Sequence, residues 1–166
     1  GSSPGGARVP ASEIVERLSG RPHLRQRYEI RGEVGRGAMG AVLRVWDADL
    51  RRQLAVKVML ALDSERGSQT ASQESSAARR YARFLEEAQI TGQLDHPGIV
   101  PVHELGLDAA GRVYFTMKLV KGEDLKAVFE HVHAGHKDWN QVRALNVMLR
   151  VCEAVAFAHS KNVVHR

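Results

Sequence analysis

Three groups of residues in this 166-residue chain have the types and spacing to do chemistry. The first is Gly35-Arg36-Gly37-Ala38-Met39-Gly40-Ala41-Val42, a G-x-G-x-x-G-x-V run. In a dinucleotide-binding turn the glycines lead from a strand into a helix, and an acidic residue follows about 20 residues on. Here the residues that follow, 41–47, alternate like a strand. A glycine loop between two strands lets backbone N–H groups lie over a triphosphate with no Cβ atoms in the way. Taken alone, the run also reads as an ordinary hairpin turn.

The second group is Leu54-Ala55-Val56-Lys57-Val58-Met59, in which an ammonium interrupts an apolar strand. Burying that charge costs free energy unless an anion compensates. Strand alternation puts Ala55, Lys57 and Met59 on one face and Leu54, Val56 and Val58 on the other. Without a partner, Lys57 would read as an edge-strand lysine reaching for water. The third group, Glu86 and Glu87, offers that partner. At 100° per residue Glu87 borders the apolar stripe Tyr81, Phe84, Leu85 and Ala88, whereas Glu86 points nearly opposite it. Glu87 is therefore the carboxylate expected to reach inward, and Glu86 the one expected on a solvated face.

These groups need elements to hold them. Residues 1–10 are rich in Gly, Ser and Pro and are expected to be disordered, followed by a short helix over 11–18 capped by Ser12. Residues 28–34, 41–47 and 53–60 read as a three-strand meander. Residues 62–80, rich in Ser, Gln and Ala, predict a flexible insertion running into a helix over about 78–93, which His96-Pro97-Gly98 ends. Residues 99–107 and 112–119 predict a hairpin around Asp108-Ala109-Ala110-Gly111. Two helices follow, over about 124–134 and 140–161. In the second of these Leu145, Met148, Leu149, Cys152, Val155 and Ala156 form a stripe that predicts packing under a neighbouring layer and a buried, inert thiol. His131, His133 and His136 are expected in a polar loop after the first of them.

Composition narrows the classes. With 43% hydrophobic and 26% charged residues, the chain reads as globular rather than disordered or fibrous. A single cysteine excludes an internal disulfide and a Cys-based zinc site, and fits a reducing compartment. No apolar run approaches the roughly 20 residues of a membrane span. The formal charge of +5 is local: residues 1–27 hold five Arg and two Glu, residues 28–61 six basic and four acidic side chains, and the remainder is balanced. Without aromatic interleaving or a recognisable module, that basic arm predicts no nucleic-acid partner.

The order of the motifs resembles the N-terminal part of a protein kinase, most closely the bacterial Hanks-type serine/threonine kinases. The glycine loop, Ala55-Val56-Lys57, Phe84-Leu85-Glu86-Glu87-Ala88, His96-Pro97-Gly98-Ile99-Val100 and Val164-His165-Arg166 carry that resemblance, which covers about residues 28–166. It implies an α+β fold: a small lobe of five antiparallel strands and one regulatory helix, then the first helices of a large lobe. In domain terms it implies a basic arm over 1–27, a small lobe over 28–119 containing the insertion 62–80, and a hinge with incomplete large lobe over 120–166.

The resemblance also implies residue roles. Gly35, Gly37 and Gly40 would cover the ATP phosphates; Val34, Val42 and Ala55 would pack on the adenine; and Lys57, paired to Glu87, would hold the α- and β-phosphates. Met117 would be the gatekeeper behind the base, with the backbone carbonyl of Lys118 and the N–H of Val120 reading its edge. Family members usually carry an acidic residue where Lys118 stands, a departure that alters what packs around the hinge but leaves a backbone contact possible. Glu123 or Asp124 would approach the ribose. His165 and Arg166 would open the catalytic loop, whose Asp normally follows at once. That Asp, and the Asn and Asp-Phe-Gly segment that hold Mg²⁺, are expected beyond residue 166, so the 166 residues alone are expected to be inactive. The parent protein is expected to be cytoplasmic, or anchored further downstream, and to transfer the γ-phosphoryl group of ATP to protein Ser and Thr hydroxyls. The rival implied by the same fold is a pseudokinase or nucleotide-binding regulatory module without catalysis.

Overall fold

The structure is a computed structural model, and it describes residues 10–18, 27–37, 40–59 and 71–164. The expected disorder of residues 1–9, most of the insertion before residue 71, and His165 and Arg166 lie outside the described residues. The chain divides into two compact units, residues 1–89 with 102–119, and residues 90–101 with 120–166.

The first unit is built on an antiparallel sheet of β1 (Tyr28–Gly37), β2 (Gly40–Asp47), β3 (Arg52–Val58), β4 (Val102–Leu107) and β5 (Val113–Lys118), in the order β1-β2-β3-β5-β4. The meander and the later hairpin therefore join edge to edge, β3 pairing with β5. Pairing in β1 runs further than the alternation predicts. It continues through the glycines to Gly37 opposite Gly40, so the glycine run is the end of a ladder rather than a loop beyond one. The β1–β2 register slips between Ile30 and Gly32 and again between Glu33 and Gly35. Gly32 sits at a φ of 151°, a backbone state that side chains rarely adopt, and such slips bend and twist a strand.

That curvature can be gauged from the two ends of the sheet. Four strand spacings of about 4.8 Å would set β1 roughly 19 Å from β4 in a flat sheet. Yet the Tyr28 hydroxyl donates to Glu104 of β4 at 2.7 Å, and the Tyr28 ring meets Tyr114 edge-on at 6.3 Å. The sheet is thus curled until its first strand touches its last. Inside the curl lie Tyr28, Val45, Leu54, Val56 and Tyr114, all nearly inaccessible. The opposite face, as alternation predicts, carries Val113 and Phe115 and is covered by helices.

Two helices supply that cover. Helix α1 (Ala11–Leu18) contributes Ile14 and Leu18, and α2 (Ala71–Gly92) contributes Phe84, Leu85 and Ala88 to one cluster with Leu107, Val113 and Phe115. Helix α1 begins at Ala11, so Ser12 lies inside it and is not its cap; the Pro10 carbonyl instead accepts from the N–H groups of Glu13 and Ile14. Helix α2 starts seven residues sooner than expected, so residues 71–80 are helix and not part of a flexible insertion. The absence of large apolar residues there does not argue against a helix. Its Ala, Gln, Glu and Arg content favours helix on backbone grounds.

The second unit holds α3 (Leu125–His133) and α4 (Gln141–Ser160), each started by a side chain that accepts from the third residue on. Asp124 accepts from the Ala127 N–H at 2.8 Å and Asn140 from the Arg143 N–H at 2.9 Å. His131 and His133 fall in the last turn of α3, not in a loop after it. Within this unit His96 stacks on Phe157 with ring centroids 5.1 Å apart. The α4 stripe, which needs a neighbouring layer to cover it, stands open: Leu145 and Leu149 are more than half exposed and Val155 is exposed, and Cys152 is an exposed rather than the expected buried thiol. Ala144 and Ala158 are the residues that helix buries. Among the described residues no helix is long and apolar enough to cross a membrane.

Candidate functional site

Sheet register assembles the site. Reading the Cα partners across the strands gives one row, Gly35, Val42, Lys57, Phe115 and Leu105. Directly opposed residues project from the same face, so Lys57 stands beside Val42 and Phe115, with Gly35 two strands away. The neighbouring row pairs Ala55 with Met117, again on that face. Ala55 is buried, whereas Val34, which falls in the second β1 slip, is half exposed. All five strands thereby contribute to one surface.

Lys57 is the only charge in that row, and its environment is apolar on the sheet side. Its Nζ lies 5.7 Å from the Phe115 ring centroid and 5.9 Å from that of Phe84. The anion that offsets its burial is Glu87, whose Oε1 is 2.5 Å from Nζ. Helical phase explains the choice: Phe84 and Ala88 anchor the buried stripe of α2, and Glu87 sits on its border facing β3. Lys57 is 18% exposed and Glu87 36%, so the pair is neither fully desolvated nor a surface contact. The second Glu87 oxygen, Oε2, is buried with no hydrogen-bond partner among the described residues.

The glycines divide by what a Cβ would meet. At Gly40 it would run into the Val58 carbonyl, so the chain's own packing of β2 against β3 demands glycine there. At Gly35 and Gly37 nothing lies within 4 Å, and neither has a positive φ. Packing among the described residues does not require glycine at those two positions, and the backbone there is open to close approach. Beside them Arg36 forks onto Glu33 at 2.7 and 3.1 Å, and this bonding to Arg36 holds the exposed Glu33 carboxyl below its ordinary range.

The far end of the same hairpin is fixed by a polar cluster that the sequence did not single out. Tyr28 opposite Asp47 begins the β1–β2 ladder that Gly37 opposite Gly40 closes. Asp47 is fully buried and receives Arg27 through Nε at 3.0 Å and Nη2 at 2.9 Å, with the N–H groups of Asp49 and Leu50 adding two more bonds. Burial works to raise the Asp47 pKa, but those donors outweigh it and hold the carboxyl below its ordinary value. Arg27 also reaches Glu104 at 3.2 Å, and its own pKa is raised, chiefly by the bond to Asp47. Burial, then the bond to Glu104, keeps the Tyr28 phenol protonated well above its usual range. This cluster anchors the base of the glycine hairpin on β4. The signal for it was present: Asp47 continues the inward alternation of Leu43 and Val45, where a carboxylate needs a cation.

Other sequence expectations land differently. Lys118 is exposed at the end of β5, opposite Leu54, and Val120, in the second unit, is 65% exposed. Asp124 is used as the α3 cap and Glu123 bonds His131 at 3.2 Å, so both carboxylates proposed for a ribose have partners within their own unit. Among the described residues no group of three or more His, Cys, Asp or Glu stands together as a metal site.

A curled five-stranded sheet, a glycine hairpin at its edge and a lysine paired to a helix glutamate define a small lobe of the protein-kinase type, followed by the first helices of a large lobe. Comparison with known proteins agrees. The protein kinase domain matches residues 28–166. The serine/threonine-protein kinase PknD of Protochlamydia amoebophila is 33% identical over 147 residues, covering 84% of this chain and 14% of that protein. PknD of Chlamydia trachomatis is 32% identical over 148 residues, covering 85% of this chain and 15% of its own length. Among solved structures, the apo form of PpkA-294 shares the fold with a TM-score of 0.67 at 21% identity, over 84% of this chain and 51% of that one. The chain belongs to the protein kinase family, and the expected likeness to bacterial Hanks-type serine/threonine kinases is borne out. It spans about one seventh of the length of these curated relatives.

Proposed function

We propose that the first unit binds ATP on the Gly35–Val42–Lys57 row and belongs to a serine/threonine protein kinase that transfers the γ-phosphoryl group to protein hydroxyls. The observation that carries this reading is the pair of glycines, Gly35 and Gly37, that packing among the described residues does not require, on the same sheet face as a lysine already held by a carboxylate. An ammonium has three donors, and Glu87 takes one of them. The others, which meet no acceptor among the described residues, would meet α- and β-phosphate oxygens while Val34, Val42, Ala55 and Met117 face the base. The backbone of Lys118 would read the base edge. ATP supplies the phosphoryl group, and Mg²⁺ would neutralise charge on its oxygens through ligands that this sequence does not contain. Positioning and charge stabilisation dominate phosphoryl transfer, so residues 1–166 by themselves bind nucleotide and transfer none. His165 and Arg166 would serve at the start of a catalytic loop.

The test is a titration of the chain with a fluorescent ATP analogue, alongside Lys57→Met and a guanosine competitor, with phosphate incorporation into a generic basic protein followed in parallel. Saturable binding that Lys57→Met weakens roughly tenfold or more, with no incorporation, is expected. Equal binding by Lys57→Met would refute the assignment of the site.

A further inference from the structure

Helix α1 lies ahead of the stretch that matches the kinase domain, which begins at residue 28. It is nevertheless built into the small lobe. Ile14 and Leu18, one turn apart on a single face, are 6% and 4% exposed, while Ser12, Glu13 and Glu16 remain outside. The cluster they enter contains Phe84, Leu85 and Ala88, which are the buried stripe of α2, together with Phe115. Phe84 and Phe115 are also the two rings that flank the Lys57 ammonium. One apolar cluster thus joins α1, whose nearest element is β4, to the buried stripe of α2 and to the wall behind Lys57. Glu87 is adjacent in sequence to Ala88 and one turn from Phe84, so its direction follows from how that stripe is seated.

We infer that Ile14 and Leu18 are positioning residues for the Lys57–Glu87 pair: α1 is a brace, carried by the segment preceding the kinase domain, that holds α2 with Glu87 turned toward Lys57. The inference rests on the nucleotide-site reading for its functional consequence and on the cluster alone for its structural one. Interior packing is close to solid density, so removing one wall of a cluster shifts the elements on the others. Loss of the brace frees α2 to rotate or tilt and lets the pair separate. A small domain whose catalytic pair depends on a segment outside it is open to control by whatever that segment binds.

Hydrogen exchange in the full chain tests this. Ile14→Asp with Leu18→Asp is compared with Ile14→Val with Leu18→Met, and amides of residues 84–89 in α2 are read against those of residues 54–57 in β3. The expected result is roughly tenfold or more faster exchange in α2 with β3 changed far less, and near-normal exchange in the conservative pair. Unchanged α2 protection in the aspartate variant overturns the inference, and so does equal acceleration in α2 and β3, which marks a general loss of stability. Binding of the fluorescent ATP analogue is measured on the same samples. Absence of binding in the unmodified chain refutes the nucleotide-site reading and leaves the exchange result to decide the brace.

Discussion

Replacing Lys57 by Met and Glu87 by Gln, singly and together, separates the stabilising role of the pair from its role toward a ligand. Met keeps the aliphatic stem and places a thioether against Phe84 and Phe115, so the change is chiefly the loss of charge. Exposed ion pairs contribute about 0.2–1 kcal/mol, and breaking a buried one costs about 3–5 kcal/mol. With side chains 18% and 36% exposed, this pair falls between those limits. Lys57→Met strands a carboxylate whose Oε2 already lacks a partner, and a loss of about 1.5–2 kcal/mol is expected. Glu87→Gln leaves an amide oxygen that still accepts from Lys57, for a loss of about 0.5–1 kcal/mol. In the double variant no charge is left unpaired, and stability returns to about 1 kcal/mol below the original, a coupling of roughly 1–2 kcal/mol. Urea unfolding monitored through Trp46 and Trp139 fluorescence supplies all four corners of the cycle. Nucleotide affinity behaves differently: the double variant regains stability but not binding, because Lys57 is still absent. A coupling below about 0.3 kcal/mol, or binding restored together with stability, would refute the reasoning.

The glycines give a second contrast. Gly40→Ala drives a Cβ into the Val58 carbonyl and is expected to lose about 2–4 kcal/mol by urea unfolding, whereas Gly37→Ala changes stability by less than about 0.5 kcal/mol yet weakens binding of the ATP analogue. Thr116 is fully buried and its hydroxyl has no partner among the described residues, so Thr116→Val should stabilise by about 1 kcal/mol, read as a higher urea midpoint at constant slope. Because the folded pKa of Asp47 is depressed, its contribution is whole above the ordinary aspartate value of 3.8 and fades as pH falls through the lower folded value. Stability measured from pH 6 downward should therefore fall less steeply below pH 4 in Asp47→Asn, from a lower starting point; parallel curves would remove the role given to the Arg27–Asp47 bond.

Much of the site was legible from local pattern, for physical reasons that can be named. Strand alternation at 54–59 and helical phase at 81–88 are properties of neighbouring residues, and they were enough to turn Lys57 inward and to choose Glu87 over Glu86. Helix starts at Asp124 and Asn140 were equally local, since one side chain caps one N–H group. Composition is a poorer guide than pattern. Residues 71–80 lack large apolar side chains but not helix propensity, and they are helix. Cys152 lies on an apolar stripe, but a stripe shows which face would be buried, not whether anything covers it, and the thiol is exposed.

The sequence by itself determined the elements, the motif order and with it the family, and the pairing of Lys57 with Glu87. Tertiary structure decided what depends on curvature and on contacts between distant segments. The β1 slips curl the sheet until Tyr28 and Arg27 reach Glu104, 76 and 77 residues away in sequence, and no local periodicity encodes that distance. The same holds for α1: its amphipathic face is visible in eight residues, but only packing shows that Ile14 and Leu18 enter the cluster that holds Phe84 and Ala88 of α2.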